Sequence, residues 1–290
     1  MSVLIAIDQG TTSTRTVAYD KDLNIVYSEQ QEYSLQYPQD GWVEIDPLEL
    51  MQSVYGTLDP VLNSCPQITG VGITNQRETT LVWDADSGEP IYNAIVWQDR
   101  RTADECLRLK EAGFEKSIKT KTGLLLDPYF SATKISWILD NVQGARAKAD
   151  KGKLRFGTVD TFLLWQLSEG SIFKTDVTNA SRTNIYNIHA KEWDDDLLKI
   201  FNVPRSMLPE VHASDASFGM FERNNKNLKI TGVIGDQQSA LVGQRCFEPG
   251  EMKATFGTGC FLMVNTGQES KDSSSGLLNT LGYQLSGHSP

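Results

Sequence analysis

The first 75 residues predict an α/β protein with a mixed central sheet covered by helices, because three strand-like runs are followed by one amphipathic helix and a fourth apolar strand. Three observations carry that prediction. Residues 3–7 form a continuous apolar run, which predicts a strand buried on both faces, and residues 15–19 and 24–32 read as the next two strands. The segment "DPLELMQSVYGTLDPVLNSC" opens with Asp46 as N-cap and Pro47 at the first helical position, and it places Leu48, Met51, Val54 and Leu58 on one face. "ITGVGITNQ" then returns as a buried strand.

Further along, residues 99–112 read as a charged helix, "SATKISWILDNV" as a helix capped by Ser131, and "TFLLWQLS" as a shorter helix after Asp160. "KITGVIGDQQSALVGQ" reads as a strand over residues 230–234, then Gly235, then a helix opened by Asp236. "EMKATFGTGCFLMVNTG" is strand, Gly-Thr-Gly turn, strand, which repeats the plan of the opening "IAIDQGTTSTRTVAYD". The last stretch, "LLNTLGYQLSGHSP", carries a strand pattern to Leu285 and stops without covering helices. The expectation is therefore an N-terminal portion of a longer protein, with domains at 1–245 and 246–290.

A formal charge of -10 excludes a basic stripe for nucleic acid or an anionic membrane, so any phosphate must be met locally. No apolar run is long enough for a membrane helix. Cys65, Cys106, Cys246 and Cys260 are widely spaced, and the N-terminus lacks signal-peptide features, which points to a reduced, cytoplasmic setting. His189, His212 and His288 are equally scattered and argue against a His or Cys metal centre.

The opening turn concentrates donors: backbone N–H groups around Gly10, hydroxyls from Thr11, Thr12 and Ser13, and Arg15 just inside the next strand. Such a set can surround a phosphate, or can be a hairpin with solvated hydroxyls and a solvent-facing arginine. It is not a Walker motif, since no G-K-[ST] and no helix follow. Asp8 and Asp236 both stand at carboxyl ends of apolar strands, where α/β sheets place ligands, and two carboxylates there suit a divalent cation and a base. Alone, each has a plainer reading, an Asx-turn for Asp8 and a helix cap for Asp236. Arg77 and Glu78, after a buried strand, pair a fork of donors with a strong acceptor, a combination suited to a polyol. Trp97 and Tyr129 read either as apolar walls of a cleft or as core.

Taken together, "DQGTTSTR", "GWVEIDP", "GITNQRETT", "YNAIVWQDRR", "TGLLLDPYFSATK", "GTVDTFLLW", "TNASRT", "GDQQSALVGQ" and "FGTGCFLMVNTG" resemble segments of the FGGY carbohydrate kinases, in order and across the whole chain. "NQRET" is similar to the glycerol-phosphorylating branch rather than to the xylulose kinases. The resemblance implies a ribonuclease H-like, actin/hexokinase-type domain, followed by the first hairpin of a second such domain. It implies ATP and Mg2+ as cofactors and glycerol as substrate, with a homodimer or homotetramer as assembly. Arg77, Glu78, Tyr129, Asp236 and Gln237 would hydrogen-bond glycerol, with Trp97 and Phe261 on its carbon face. Thr11, Thr12, Ser13, Arg15, Thr258 and Gly259 would hold the nucleotide phosphates. Asp236 would act as general base, and Asp8 would help Asp236 to place Mg2+, through water. The competing readings are a non-catalytic polyol-binding module, a family kinase for another polyol or sugar, and a simple ATPase.

Overall fold

The computed structural model describes residues 2–257, 259–269, 273 and 276–287. Strands β1 (Ser2–Gln9), β2 (Ser13–Tyr19) and β3 (Ile25–Glu32) form an antiparallel meander, and helix α1 (Pro47–Ser64) crosses back to β4 (Gln67–Asn75), which lies parallel to β1. Helices α2 (Ala103–Glu111), α3 (Ser131–Asn141), α4 (Val159–Leu167) and α5 (Val177–Ala180) follow, then the hairpin of β5 (Gly219–Arg223) and β6 (Lys226–Gly235), helix α6 (Asp236–Gly243), and strands β7 (Met252–Phe256) and β8 (Cys260–Val264). The central sheet has the order β5-β6-β4-β1-β2-β3, with β6, β4 and β1 mutually parallel, whereas β7 and β8 form a separate two-stranded sheet among the described residues. This is the mixed, helix-covered sheet expected from the sequence. Its three parallel strands end together at Gln9, Asn75 and Gly235, which brings three chain segments to one edge.

Asp46 caps α1 through the Leu48 N–H at 2.8 Å, and Pro47 occupies the first helical position. The buried face of α1 consists of Leu50, Met51, Val54, Leu58, Val61 and Leu62, while Leu48 is exposed, correcting its assignment to that face. Inside the α1–sheet layer, Ser53 and Thr57 bond to Thr14 and Thr16 at 2.6 and 2.8 Å, so the polar side chains of β2 are satisfied where they are buried. The helix covers one face of β1, burying Val3, Ile5 and Ile7, and Leu4 on the opposite face stays exposed. The expectation that β1 is buried on both faces is thus overturned.

Three local expectations also change. Helix α2 begins at Ala103 rather than near Asp99, because the Asp99 carboxylate is occupied by the Val43 N–H and the Arg101 guanidinium. Ser131 is the first helical residue and not the cap; its hydroxyl donates to the Glu78 carbonyl at 3.0 Å. Residues 276–285 form no strand; they are tied to the body by bonds such as Asn279 N–H to the Gly123 carbonyl and Ser214 N–H to the Gln284 carbonyl. All four cysteines are free thiols, and among the described residues no helix is long and apolar enough to cross a membrane.

Candidate active site

At the β1–β2 connection, Gly10 N–H donates to the Ser13 carbonyl at 2.9 Å, and Tyr33 N–H holds the Thr12 carbonyl at 3.1 Å. The Gly10 carbonyl accepts from the side-chain amides of Gln9 (2.8 Å) and Gln76 (2.9 Å) and from the Tyr33 hydroxyl. Burial pushes the Tyr33 hydroxyl well above its ordinary value, which keeps it a neutral donor. The turn is therefore fixed from below. From the side, Trp97 Nε1 donates to Thr11 Oγ1 at 2.9 Å, leaving the Thr11 hydroxyl proton to be donated elsewhere.

One residue beyond β4, the chain makes a tight turn in which Thr79 N–H bonds back to the Arg77 carbonyl at 2.7 Å, with Glu78 at its apex and φ at 62°. This is a γ-turn with a positive φ on a residue that is not glycine, a conformation that persists only where its surroundings impose it. The Glu78 carbonyl accepts from Thr80 and Ser131 hydroxyls, each at 3.0 Å, and the carboxylate is met by Arg182 Nε at 2.5 Å. Arg77 runs the other way. Its Nε lies 3.0 Å from Asp236 Oδ1, an ion-pair distance, but off the N–H direction, so this buried N–H makes no hydrogen bond. Arg77 and Asp236 both line the cavity, so their ion pair forms part of its wall. The absence of a side chain at Gly235 is what lets Arg77 pass, since a Cβ there would sit 2.7 Å from Arg77 Cδ.

Asp236 is the first residue of α6, with Gly235 as N-cap, and its Oδ1 accepts from the Gln237 N–H at 2.6 Å. Loss of solvent raises its carboxyl above the usual range, Arg77 opposes that shift, and Glu78 adds to it. Its position is set by a buried network. Gly235 N–H donates to Thr178 Oγ1 at 2.8 Å, Thr178 Oγ1 donates in turn to Asp176, and Asp176 also receives Ser214 Oγ and the Asn179 N–H. Burial raises the Asp176 carboxyl, and these donors oppose the shift.

Arg77, Glu78, Trp97, Tyr129, Asp236, Gln237 and Phe261, every residue expected to touch the polyol, line a single cavity of about 140 Å3. That volume is below the roughly 300 Å3 at which drug-sized sites begin, so it suits a small molecule. Trp97 meets Tyr129 and Phe261 edge to face, with centroids 5.6 and 6.0 Å apart, making the apolar wall. Thr11 and Gly259 bring the two turns to the same cavity, and Gln76, Thr255 and Gly257 join them.

Asp8, Thr12, Ser13 and Arg15 lie outside this lining, around the first turn. Thr258 lies outside the described residues. Ser13 Oγ accepts from Gln30, and Arg15 Nε donates to Ser28 Oγ at 3.2 Å on the exposed side of the sheet. Desolvation at the strand end pushes the Asp8 carboxyl up, the charge of Asp236 pushes the same way, and Arg15 opposes both. Two carboxylates that feel each other in this way are a fitting pair for Mg2+, which is commonly bound by one or two carboxylates completed by water and phosphate oxygens. Among the described residues no three His, Cys, Asp or Glu side chains are grouped for a metal, as an all-protein cage would require.

Sequence reasoning missed three side chains that frame the site. Arg182 bonds Glu78; Lys134, fully buried, donates to the Tyr129 carbonyl at 2.8 Å; and Lys253 reaches from β7 to Gln237 Oε1 and to Thr255 Oγ1 at 2.8 Å. Burial lowers the Lys134 ammonium to about 8 and also lowers Lys253. The advance signals were two quoted segments to which no such role was given: "TNASRT", which supplies Thr178, Asn179 and Arg182, and "TGLLLDPYFSATK", which ends in Lys134.

Residues 3–243 match the model for the N-terminal domain of the FGGY family of carbohydrate kinases, and the chain belongs to that family. The mixed sheet flanked by helices is the actin/hexokinase-like fold of those kinases.

Within the family, the chain is similar to the glycerol kinases of Alteromonas mediterranea, 55% identical over 98% of this chain and 59% of that protein, and of Petrotoga mobilis, 52% identical over 98% and 58%. Among solved structures, Plasmodium falciparum glycerol kinase with ADP superposes with a TM-score of 0.93 at 39% identity, covering 98% of this chain and 58% of that one. A ligand-bound xylulose kinase from Lactobacillus acidophilus shares the fold at TM-score 0.82 and 21% identity, with 90% of this chain and 54% of that one covered. The chain thus spans a little under three fifths of the length of the relatives it matches.

Proposed function

We propose that the full-length protein is a glycerol kinase, transferring the γ-phosphate of ATP to a terminal hydroxyl of glycerol to give sn-glycerol 3-phosphate and ADP. The observation that carries this reading is the convergence, in one small cavity, of Asp236 paired with Arg77, a fixed carboxylate at Glu78, an aromatic wall, Thr11 from the first turn, and Gly257 and Gly259 from the second. In this reading Arg77, Glu78, Tyr129, Asp236 and Gln237 bind the hydroxyls, and Trp97 and Phe261 cover the carbon face. Asp236 accepts the proton of the attacking hydroxyl; its Oδ1 holds the Gln237 N–H at 2.6 Å, and its Oδ2 receives the Gln237 side-chain amide only at 3.4 Å. Loss of solvent raises its carboxyl, which makes it a better base than an ordinary aspartate, and the neighbouring Arg77 favours the charged form.

Phosphoryl transfer asks for positioning and charge stabilisation more than for covalent chemistry. Thr11, Thr12, Ser13 and Arg15 from the first turn, and Thr258 and Gly259 from the second, would supply the donors around the phosphates. Asp8 and Asp236 would hold Mg2+, which would supply positive charge to offset that of the phosphates. The same reading divides the chain at 245/246, with 246–290 opening a second domain, and the match of residues 3–243 to the family's N-terminal domain supports it. The test is a coupled assay of ADP release by the full-length protein: release that depends on glycerol supports the reading, and release indifferent to glycerol leaves a simple ATPase.

A further inference from the structure

Glu78 stands between two arginines, and its sequence neighbour is not its partner. Arg77 is committed to Asp236 and to Gln238, whose Oε1 accepts from Nη1 at 3.1 Å. The cation on the Glu78 carboxylate is Arg182, 104 positions away, with Nε to Oε1 at 2.5 Å and both side chains almost fully buried, at 6% and 1% exposure. The same guanidinium lies over the rings of Tyr129 and Phe130, 5.7 and 5.0 Å from their centroids. Arg182 therefore touches two of the cavity's polar residues from behind, without lining the cavity itself.

We propose that Arg182 is a positioning residue that sets polyol specificity by holding Glu78 as an ionised, singly available acceptor and by seating Tyr129 beside it. The proposal rests on the glycerol kinase reading above. Its physical basis is the γ-turn at Glu78. Thr80 and Ser131 fix the backbone of that turn, and Arg182 fixes the side chain by occupying Oε1, so Oε2 is the oxygen presented to a ligand. An ionised carboxylate accepts and cannot donate. A buried acceptor held in this way demands a hydroxyl, and an analogue lacking that hydroxyl leaves it unpaired, the situation in which enzyme sites discriminate most strongly. Removal of Arg182 takes away the partner that fixes this buried side chain and leaves it free to turn toward Arg77, so the acceptor is no longer held in place. The effect falls on substrate recognition, because Asp236 is placed by the separate Asp176–Thr178–Gly235 network.

The experiment uses the full-length protein, comparing wild type with Arg182→Met and Arg182→Lys on glycerol, 1,2-propanediol and 1,3-propanediol. For Arg182→Met the expectation is a glycerol KM raised at least tenfold with kcat changed less than threefold, and a preference for glycerol over the poorer diol reduced at least tenfold. Arg182→Lys, which keeps the charge but loses the planar fork, should recover part of both. A Glu78→Gln background should make the further loss of Arg182 nearly silent. Unchanged KM and diol preference overturn the proposal, as does a loss confined to kcat. If Arg182→Met does not fold, the Lys variant decides: wild-type KM and diol preference in that variant also overturn it. Wild-type protein without glycerol-dependent turnover overturns the glycerol kinase reading itself, whereas an active wild type with indifferent Arg182 variants overturns only the role of Arg182.

Discussion

The β1–β2 and β7–β8 hairpins are built alike, two antiparallel strands around a turn of glycine and small hydroxyl residues, yet they are supported differently. The first is part of a six-stranded sheet, with Ile5 and Ile7 buried and its turn held by Gln9, Tyr33, Gln76 and Trp97. The second is a two-stranded sheet whose outer face, Met252, Phe256, Leu262 and Val264, is exposed. Two-stranded ribbons are marginal by themselves, so the second turn depends on what lies against its inner face. There Lys253 reaches Gln237, and Phe261 packs on Trp97. The same local device can thus be rigid through its sheet or through its site, and Trp97 joins the two hairpins by bonding Thr11 in the first turn and packing on Phe261 in β8.

The largest expected difference between the two regions is in stability. Ile7→Ala, at a fully buried position, should cost about 2–5 kcal/mol in urea denaturation, while Leu262→Ala should stay within about 0.5 kcal/mol. Equal costs would erase the distinction. Next comes Tyr33→Phe, which removes the hydroxyl at the centre of the first turn's hydrogen bonds and should cost about 1–3 kcal/mol by the same measurement; a silent change would mean the turn is not braced from below.

The supported half should also carry a pH signature. Burial pushes Asp160, in the first turn of α4, up to about 7 against the hydroxyls of Thr158 and Thr175. A carboxyl raised in the folded state stabilises most below its unfolded value near 4 and loses that contribution as pH rises toward about 7. Denaturation of Asp160→Asn and wild type at pH 4.5 and 7.5 should therefore show wild type weakening relative to the variant at the higher pH, and a constant difference contradicts this. The smallest effect is expected for Trp97→Phe. It keeps a ring beside Phe261 but removes the donor to Thr11, so stability should fall by about 1 kcal/mol or less, with nucleotide affinity of the full-length protein down severalfold by calorimetry.

Legibility in the sequence followed the range of the interaction. The Asp46–Pro47 start of α1, the strands and both hairpins are written in adjacent residues, and they could be read there. Burial of both faces of β1 could not be read from its apolar run, because Leu4 faces away from α1 and whether anything covers it is a tertiary fact. Ser131 looks like a cap in sequence, but its hydroxyl is drawn to Glu78, 53 positions away. Most of the residues that line the cavity were named through family resemblance, whereas the bonds that hold them were not: Arg182 reaches Glu78 from 104 positions away and Lys253 reaches Gln237 from 16. Glu78 shows the division most clearly: its presence is readable, but its γ-turn and the arginine that aims it belong to the fold.

The central claim is that the two turns serve one cavity whose base is Asp236, and it is tested most directly by comparing Asp236→Asn with wild type in the full-length protein. Glycerol-dependent ADP release should fall by at least about 1,000-fold, while calorimetry finds glycerol bound within about tenfold of wild-type affinity, because the amide keeps its place at the start of α6 but is a far weaker base. An Asp236→Asn protein that turns over glycerol at the wild-type rate contradicts the account.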